Sequence, residues 1–171
     1  MLMQAGRGAW KEGAGFSLIE LMVTVAVLAV LVTVALPSFT STINGNRLVA
    51  QANELVVMAQ LAKSEAIRAN GTAHLCRTTD GSSCADGNGE WSRWLVVSGG
   101  NVMQEGIPGS SGVQVTAGAA DVTFRPDGTS GGGTLIACLP TTRPQENQRV
   151  VNISSGGRIS VASRSGAGEC P

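Results

Sequence analysis

The sequence predicts an α+β chain: a long N-terminal helix, transmembrane in its first half and amphipathic in its second, packed on a C-terminal antiparallel β-sheet head. Three observations predict it. Phe16 to Leu36 is a predominantly apolar run with a single charge, Glu20. Leu48, Ala52, Leu55, Ala59, Ala62 and Ala66 then recur at alternating spacings of four and three, one face of a helix. From residue 72 onward, short alternating runs are separated by glycine and polar turns, the pattern of strands.

The apolar run comes first. Its length, at about 1.5 Å per residue, covers roughly the 30 Å of a bilayer's hydrocarbon. Arg7 and Lys11 precede it, so the positive-inside rule keeps the short N-terminus cytoplasmic and sends the rest outside. A secretory signal is cut after its apolar run; here the break falls before it, at Gly15–Phe16. Glu20 is what plain anchoring leaves unexplained, because a carboxylate inside a membrane is costly and is usually paired.

Pro37 is expected to end or kink this helix, and Asn44-Gly45-Asn46 to loosen it again. The amphipathic half then runs to a stop at Asn70-Gly71, with Glu54, Lys63, Glu65 and Arg68 turned outward. Strands are predicted over 72–78, 91–98, 101–107, 112–117, 121–125, 134–139, 148–154 and 157–163. The organisation is therefore a leader over 1–15, an apolar helix over 16–36, an amphipathic helix over 37–70 and a β-rich periplasmic head over 71–171.

Composition agrees. The chain has 171 residues, of which 14% are charged, 4% are aromatic and 23 are glycine, which suits a turn-rich β head better than a helical bundle. Twelve basic and twelve acidic residues cancel, so bulk charge argues for neither nucleic acid nor anionic lipid. The four cysteines, Cys76, Cys84, Cys138 and Cys170, all follow the apolar run, as disulfides in an oxidising compartment would. Three connectivities are open; Cys76–Cys84 closing a short loop and Cys138–Cys170 pinning the C-terminus is the favoured one. A zinc site competes poorly, with no CxxC pair and a single histidine.

The stretch Gly15-Phe16-Ser17-Leu18-Ile19-Glu20-Leu21-Met22-Val23 resembles the class III signal of type IV pilins and type II secretion pseudopilins. That resemblance implies cleavage after Gly15 by a prepilin peptidase and methylation of the new Phe16 amine. It also implies that Glu20 pairs with the Phe16 amine of a neighbouring subunit, setting register in a core of apolar helices. In pilins a proline at the place of Pro37 is common and the helix resumes beyond it. The segment Leu61 to Gly71, LAKSEAIRANG, with a glycine-rich β head and late cysteines, is similar to the GspH/FimT branch of minor pilins. The implied function is a minor pilin of a type IV pilus, assembled with other major and minor pilins. The alternative is the equivalent minor pseudopilin of a type II secretion system, which shares the same N-terminal physics.

Nothing points to catalysis, a cofactor or a metal. His74 shares a strand face with Cys76, but an oxidised cysteine is no nucleophile. Gly128 to Thr134, GTSGGGT, lacks the lysine of a phosphate loop. Trp91 and Trp94, three apart in one expected strand, should face opposite sides, one in the core and one half-buried. Arg143, Arg149, Arg158 and Arg164 outnumber Glu146 and Glu169 locally and are candidate phosphate contacts. Some FimT-like pilins bind DNA through a C-terminal GRxR motif; the matching residues are Gly157-Arg158-Ile159-Ser160, with serine in place of the second arginine. DNA capture is thus a further alternative.

Overall fold

The computed structural model describes residues 15–109 and 112–171, and residues 34–38 by their backbone alone; Arg7 and Lys11 lie outside the described residues. The chain divides into two compact units, Met1–Ser38 and Phe39–Pro171. One helix, α1 (Leu18–Arg68), runs through both.

In the first unit α1 is apolar all round, with Leu18, Ile19, Leu21, Met22, Leu28 and Leu31 all exposed. A helix without a polar face is made to be covered on every side. Its two threonines hide their polarity: the Thr24 hydroxyl donates to the Leu21 carbonyl at 2.9 Å and Thr33 to Val30 at 2.7 Å. Among the described residues no helix is long and apolar enough to cross a membrane; the apolar run of 16–36 ends within 34–38, whose side chains are not described.

The helix does not end at Pro37: α1 continues through residues 37 and 44–46. Proline removes one internal hydrogen bond but leaves those of the turns on either side. The polar Asn44 helps hold the helix in place, since its Nδ2 donates to the Arg143 carbonyl at 2.9 Å. The helix ends at Arg68, closed by the expected Asn70-Gly71 stop. Asn70 takes φ of 47°, its N–H donates to the Ile67 carbonyl, and that of Gly71 to Ala66, closing a Schellman motif.

The second unit is built on the predicted helix face. Leu48, Ala52, Leu55, Ala59, Ala62 and Ala66 are all buried. All eight strands form near their expected places: β1 (Ala73–Arg77), β2 (Trp94–Ser98), β3 (Asn101–Gly106), β4 (Gln114–Ala117), β5 (Asp121–Phe124), β6 (Gly133–Cys138), β7 (Gln148–Ile153) and β8 (Ile159–Arg164). They make two antiparallel sheets, ordered β3-β2-β1-β5 and β4-β6-β7-β8. Leu75, Val96, Val122 and Phe124 of the first sheet and Val115, Leu135 and Val151 of the second meet the helix face in one core.

Trp91 and Trp94 are both fully buried, against the expectation of opposite faces. Alternation does not apply between them, because β2 begins only at Trp94. Trp91 precedes it in a segment that pairs with the other sheet: Glu90 bridges Thr116, and the Trp91 N–H donates to the Val115 carbonyl at 2.7 Å. Nor do all four helix charges point freely outward. Lys63 is half-buried and its Nζ donates to the Gly157 carbonyl at 3.0 Å.

That contact fixes the turn between β7 and β8. Gly157 has φ of 71°, and a Cβ there would overlap the Gly128 carbonyl. Gly157→Ala should therefore cost about 1–3 kcal/mol. Gly45 sits inside α1 with open space around its Cβ position, so Gly45→Ala should stabilise by up to about 1 kcal/mol. Chemical denaturation of the two variants checks both signs.

Candidate functional site

Three groups of residues are candidates for function, and each is positioned by local chemistry. The first is the start of α1. Ser17 is its N-cap: the Glu20 N–H donates to Ser17 Oγ at 3.2 Å. With Glu20 at the third helical position this is the serine half of a capping box. Its signature, Ser17-Leu18-Ile19-Glu20, is legible in the sequence but is masked there by the reading of Glu20 as a membrane charge. Glu20 is exposed and lies in the first turn, where an acid also meets the positive end of the helix dipole. Gly15 and Phe16 precede the helix and are exposed.

The second group is the cysteines. Cys76 on β1 is bonded to Cys84, with Cα atoms 5.5 Å apart, and Cys138 on β6 to Cys170, 5.7 Å apart. The first bond closes a loop organised by Asp80. Its Oδ1 accepts the N–H groups of Ser82 (2.9 Å) and Ser83 (3.0 Å) and the buried Thr78 hydroxyl (3.0 Å), and its Oδ2 accepts the Ser83 hydroxyl. Those donors, led by the Ser82 and Ser83 backbone, hold the carboxyl far below its ordinary value of 3.8. The second bond secures a tail also held by Asn147, which is fully buried. Its Nδ2 donates to the Leu139 and Glu169 carbonyls, and its Oδ1 accepts the Gly166 N–H at 2.7 Å. Neither Asp80 nor Asn147 stands out in the sequence, where no spacing or motif marks either one. His74 shares the outer face of β1 with Cys76; its Nδ1 meets Asp121 Oδ2 at 2.9 Å, and the Thr123 hydroxyl donates to the same oxygen at 3.0 Å. Among the described residues no group of ligand side chains is arranged to hold a metal.

The third group is the arginines, which the fold does not gather. Arg143 lies in the loop before β7, in contact with Asn44 through its carbonyl. Gln148 faces Arg164 and Arg149 faces Ser163 across the β7–β8 ladder. Residues directly opposite share a face, so Arg149 and Arg164 lie on opposite faces of the sheet. The Arg149 guanidinium caps the carbonyls of Glu146 and Gln148, and Arg164 Nε donates to Gln148 Oε1 at 2.7 Å. Arg158 is exposed at the far end of β8, about 20 Å from Arg164 by strand rise. It rims a shallow polar groove with Thr134, Asn152 and Ser160. Ser160, in the place of a second motif arginine, is part of the groove's floor.

A capped, largely apolar helix whose second half packs on a two-sheet head is a pilin-like fold. Among solved structures, this chain is similar to the type IV minor pilin FimU of Pseudomonas aeruginosa strain PAO1, with a TM-score of 0.54 and 21% identity, over 68% of this chain and 89% of that one. It is also similar to the minor pseudopilin EpsH from the type II secretion system of Vibrio cholerae, with a TM-score of 0.50 and 14% identity, over 68% and 97%. These likenesses show the fold. A family described as type II transport protein GspH matches residues 51–157, and the prokaryotic N-terminal methylation motif matches residues 11–36. The chain belongs to the GspH family. No curated protein sequence matches it.

The Asp80 loop yields a pH prediction. Its folded pKa lies below the unfolded one, so the stability it contributes is present above about pH 4 and is lost as pH falls through the folded value. In a side-chain NMR titration Asp80 should still be ionised when most other carboxylates have protonated. Asp80→Asn should loosen residues 78–84 at neutral pH and remove that late acid transition.

Proposed function

We propose that the chain is a minor pilin of a type IV pilus. It is inserted in the inner membrane with its head in the periplasm, cut by a prepilin peptidase after Gly15 and methylated on Phe16, and then added to a filament with other pilins. One observation carries this reading: the match to the N-terminal methylation motif over residues 11–36 falls on the start of a helix that runs unbroken into the head. The work is structural. The apolar half of α1 buries among the helices of neighbouring subunits. Glu20 accepts the Phe16 amine of one of them, and the disulfide-stapled head presents its surface outside that core. A carboxylate in such a core is tolerable only when paired, and removing its role in the pair costs about 3–5 kcal/mol, enough to specify register.

The second reading is a minor pseudopilin of a type II secretion system, favoured by the description of the matching family. The helix end Ser64-Glu65-Ala66-Ile67-Arg68 and the two disulfides support the pilus branch. DNA capture has narrower support, a single exposed arginine, Arg158, beside a polar groove.

In a strain lacking the native copy, Gly15→Val should leave an uncut precursor in the membrane. Glu20→Ala should be cut normally, yet be depleted at least about tenfold from sheared pili. Incorporation of Glu20→Ala at the wild-type level would sink the proposed pairing. Normal piliation with loss of exoprotein secretion would move the assignment to the pseudopilus. A salt-sensitive complex with duplex DNA that is lost in Arg158→Ala would add the capture role.

A further inference from the structure

The two sheets have four lateral edges, and they are not treated alike. β4 is covered by the Glu90 bridge and the Trp91 N–H. β5 is covered by its own return turn, where Phe124 bridges Ser130 and the Gly131 N–H donates to Thr123. β3 pairs with β2 through a register shift between Val96 and Val97, and carries Glu105 in an ion pair with Arg93. Bulges, charges and covering chain are the devices that keep an edge from pairing with strangers.

Among the described residues β8 has neither a bulge nor a covering chain, and its one charge, Arg164, is at its end. It pairs with β7 over six residues, Ile159 to Arg164, without a register shift, and stands last in its sheet. Its interior, Ser160-Val161-Ala162-Ser163, holds no charge and no proline. Val161 lies opposite Val151, which is fully buried, yet Val161 is 45% exposed. The core face of the sheet is therefore left uncovered at its last strand. Within residues 158–164 the charges are Arg158 and Arg164, at the two ends; Arg149 stands opposite Ser163 on the Val161 face. Arg164 shares the parity of Ser160, and Arg158 rims the same polar groove as Ser160 and Asn152, so both arginines lie on the face opposite to that of Val161.

We propose that β8 is a docking edge that takes an extended, acidic-ended segment of another protein as an added antiparallel strand. The incoming segment would set carboxylates against Arg158 and Arg164 on one face and β-branched apolar residues over Ile159, Val161 and Ser163 on the other. The main chain supplies affinity and the alternate side chains supply selectivity, as in strand addition generally. Charge also excludes the simplest competitor, a second copy of the chain. An antiparallel β8–β8 pair centred on Val161 sets Arg158 of each copy against Arg164 of the other, and a parallel one sets each arginine beside its own counterpart. Like charges in such positions are destabilising. The edge is thus guarded against itself and open to an acidic strand, and this holds whether the assembly is a pilus or a pseudopilus.

The test uses the full chain in detergent micelles and a capped peptide with glutamate at both ends and alternating valine and threonine between, long enough to span Arg158 to Arg164. The same peptide with lysine at its ends is the control. Binding is followed by fluorescence anisotropy, and its place by amide hydrogen exchange. The glutamate-ended peptide is expected to bind at least about tenfold more tightly than the lysine-ended one, with new protection confined to residues 159–164. The double variant Arg158→Glu, Arg164→Glu alters only exposed side chains and should invert that preference. Equal binding of the two peptides, no binding, or protection elsewhere would overturn the proposal. So would duplex DNA that binds through Arg158 where the peptide does not. Loss of processing or filament assembly in the Gly15 and Glu20 variants leaves this readout unchanged, so the two proposals fail separately.

Discussion

The head of this protein depends on one face of one helix. Leu48, Ala52, Leu55, Ala59, Ala62 and Ala66 are buried against residues drawn from both sheets, and four of those six are alanine. Small side chains let strand backbones approach the helix closely, and that closeness lets eight short strands with few aromatics share a single core. The flank of the same helix face carries Lys63 to the Gly157 carbonyl. The position of the β7–β8 turn, and with it Arg158 and the start of β8, is therefore tied to the helix that sets the core. The surface proposed to meet partners is held by the element proposed to enter the filament.

Much of this is legible in the sequence because it is periodic. The buried helix face is written in spacings of four and three, and the strands in alternation between glycine-rich turns. The disulfide connectivity follows from economy, a short loop and a pinned terminus. The likeness to the pilin signal rests on a contiguous motif, which is why Gly15, Phe16 and Glu20 can be named from the order of residues alone.

What is not legible depends on pairing between distant segments. Alternation indicates that a strand exists and not which of the two sheets it joins. Trp91 seems to belong with Trp94 only because the run 91–98 looks continuous; its own N–H belongs to β4 instead. A count of arginines along the chain gives a basic patch, but register sends Arg149 and Arg164 to opposite faces and leaves Arg158 at the other end of β8. Pro37 argues for a break that the hydrogen bonds of adjacent turns do not require. A buried asparagine such as Asn147 has no pattern of its own; its role emerges only when the tail folds back on it. The Ser17 cap is readable, though Glu20 draws attention first as a membrane charge. Glu20 is an acid at a helix start in the isolated chain, and the proposed partner of an amine once helices assemble.

The account turns on the mature N-terminus. Intact-mass and N-terminal measurement of the protein extracted from membranes under non-reducing conditions is the most direct test. The account predicts a chain beginning at N-methylated Phe16 and lacking four thiol hydrogens for two disulfides. A chain that keeps residues 1–15, or one cut beyond Leu36 so that the apolar half is lost, would contradict it.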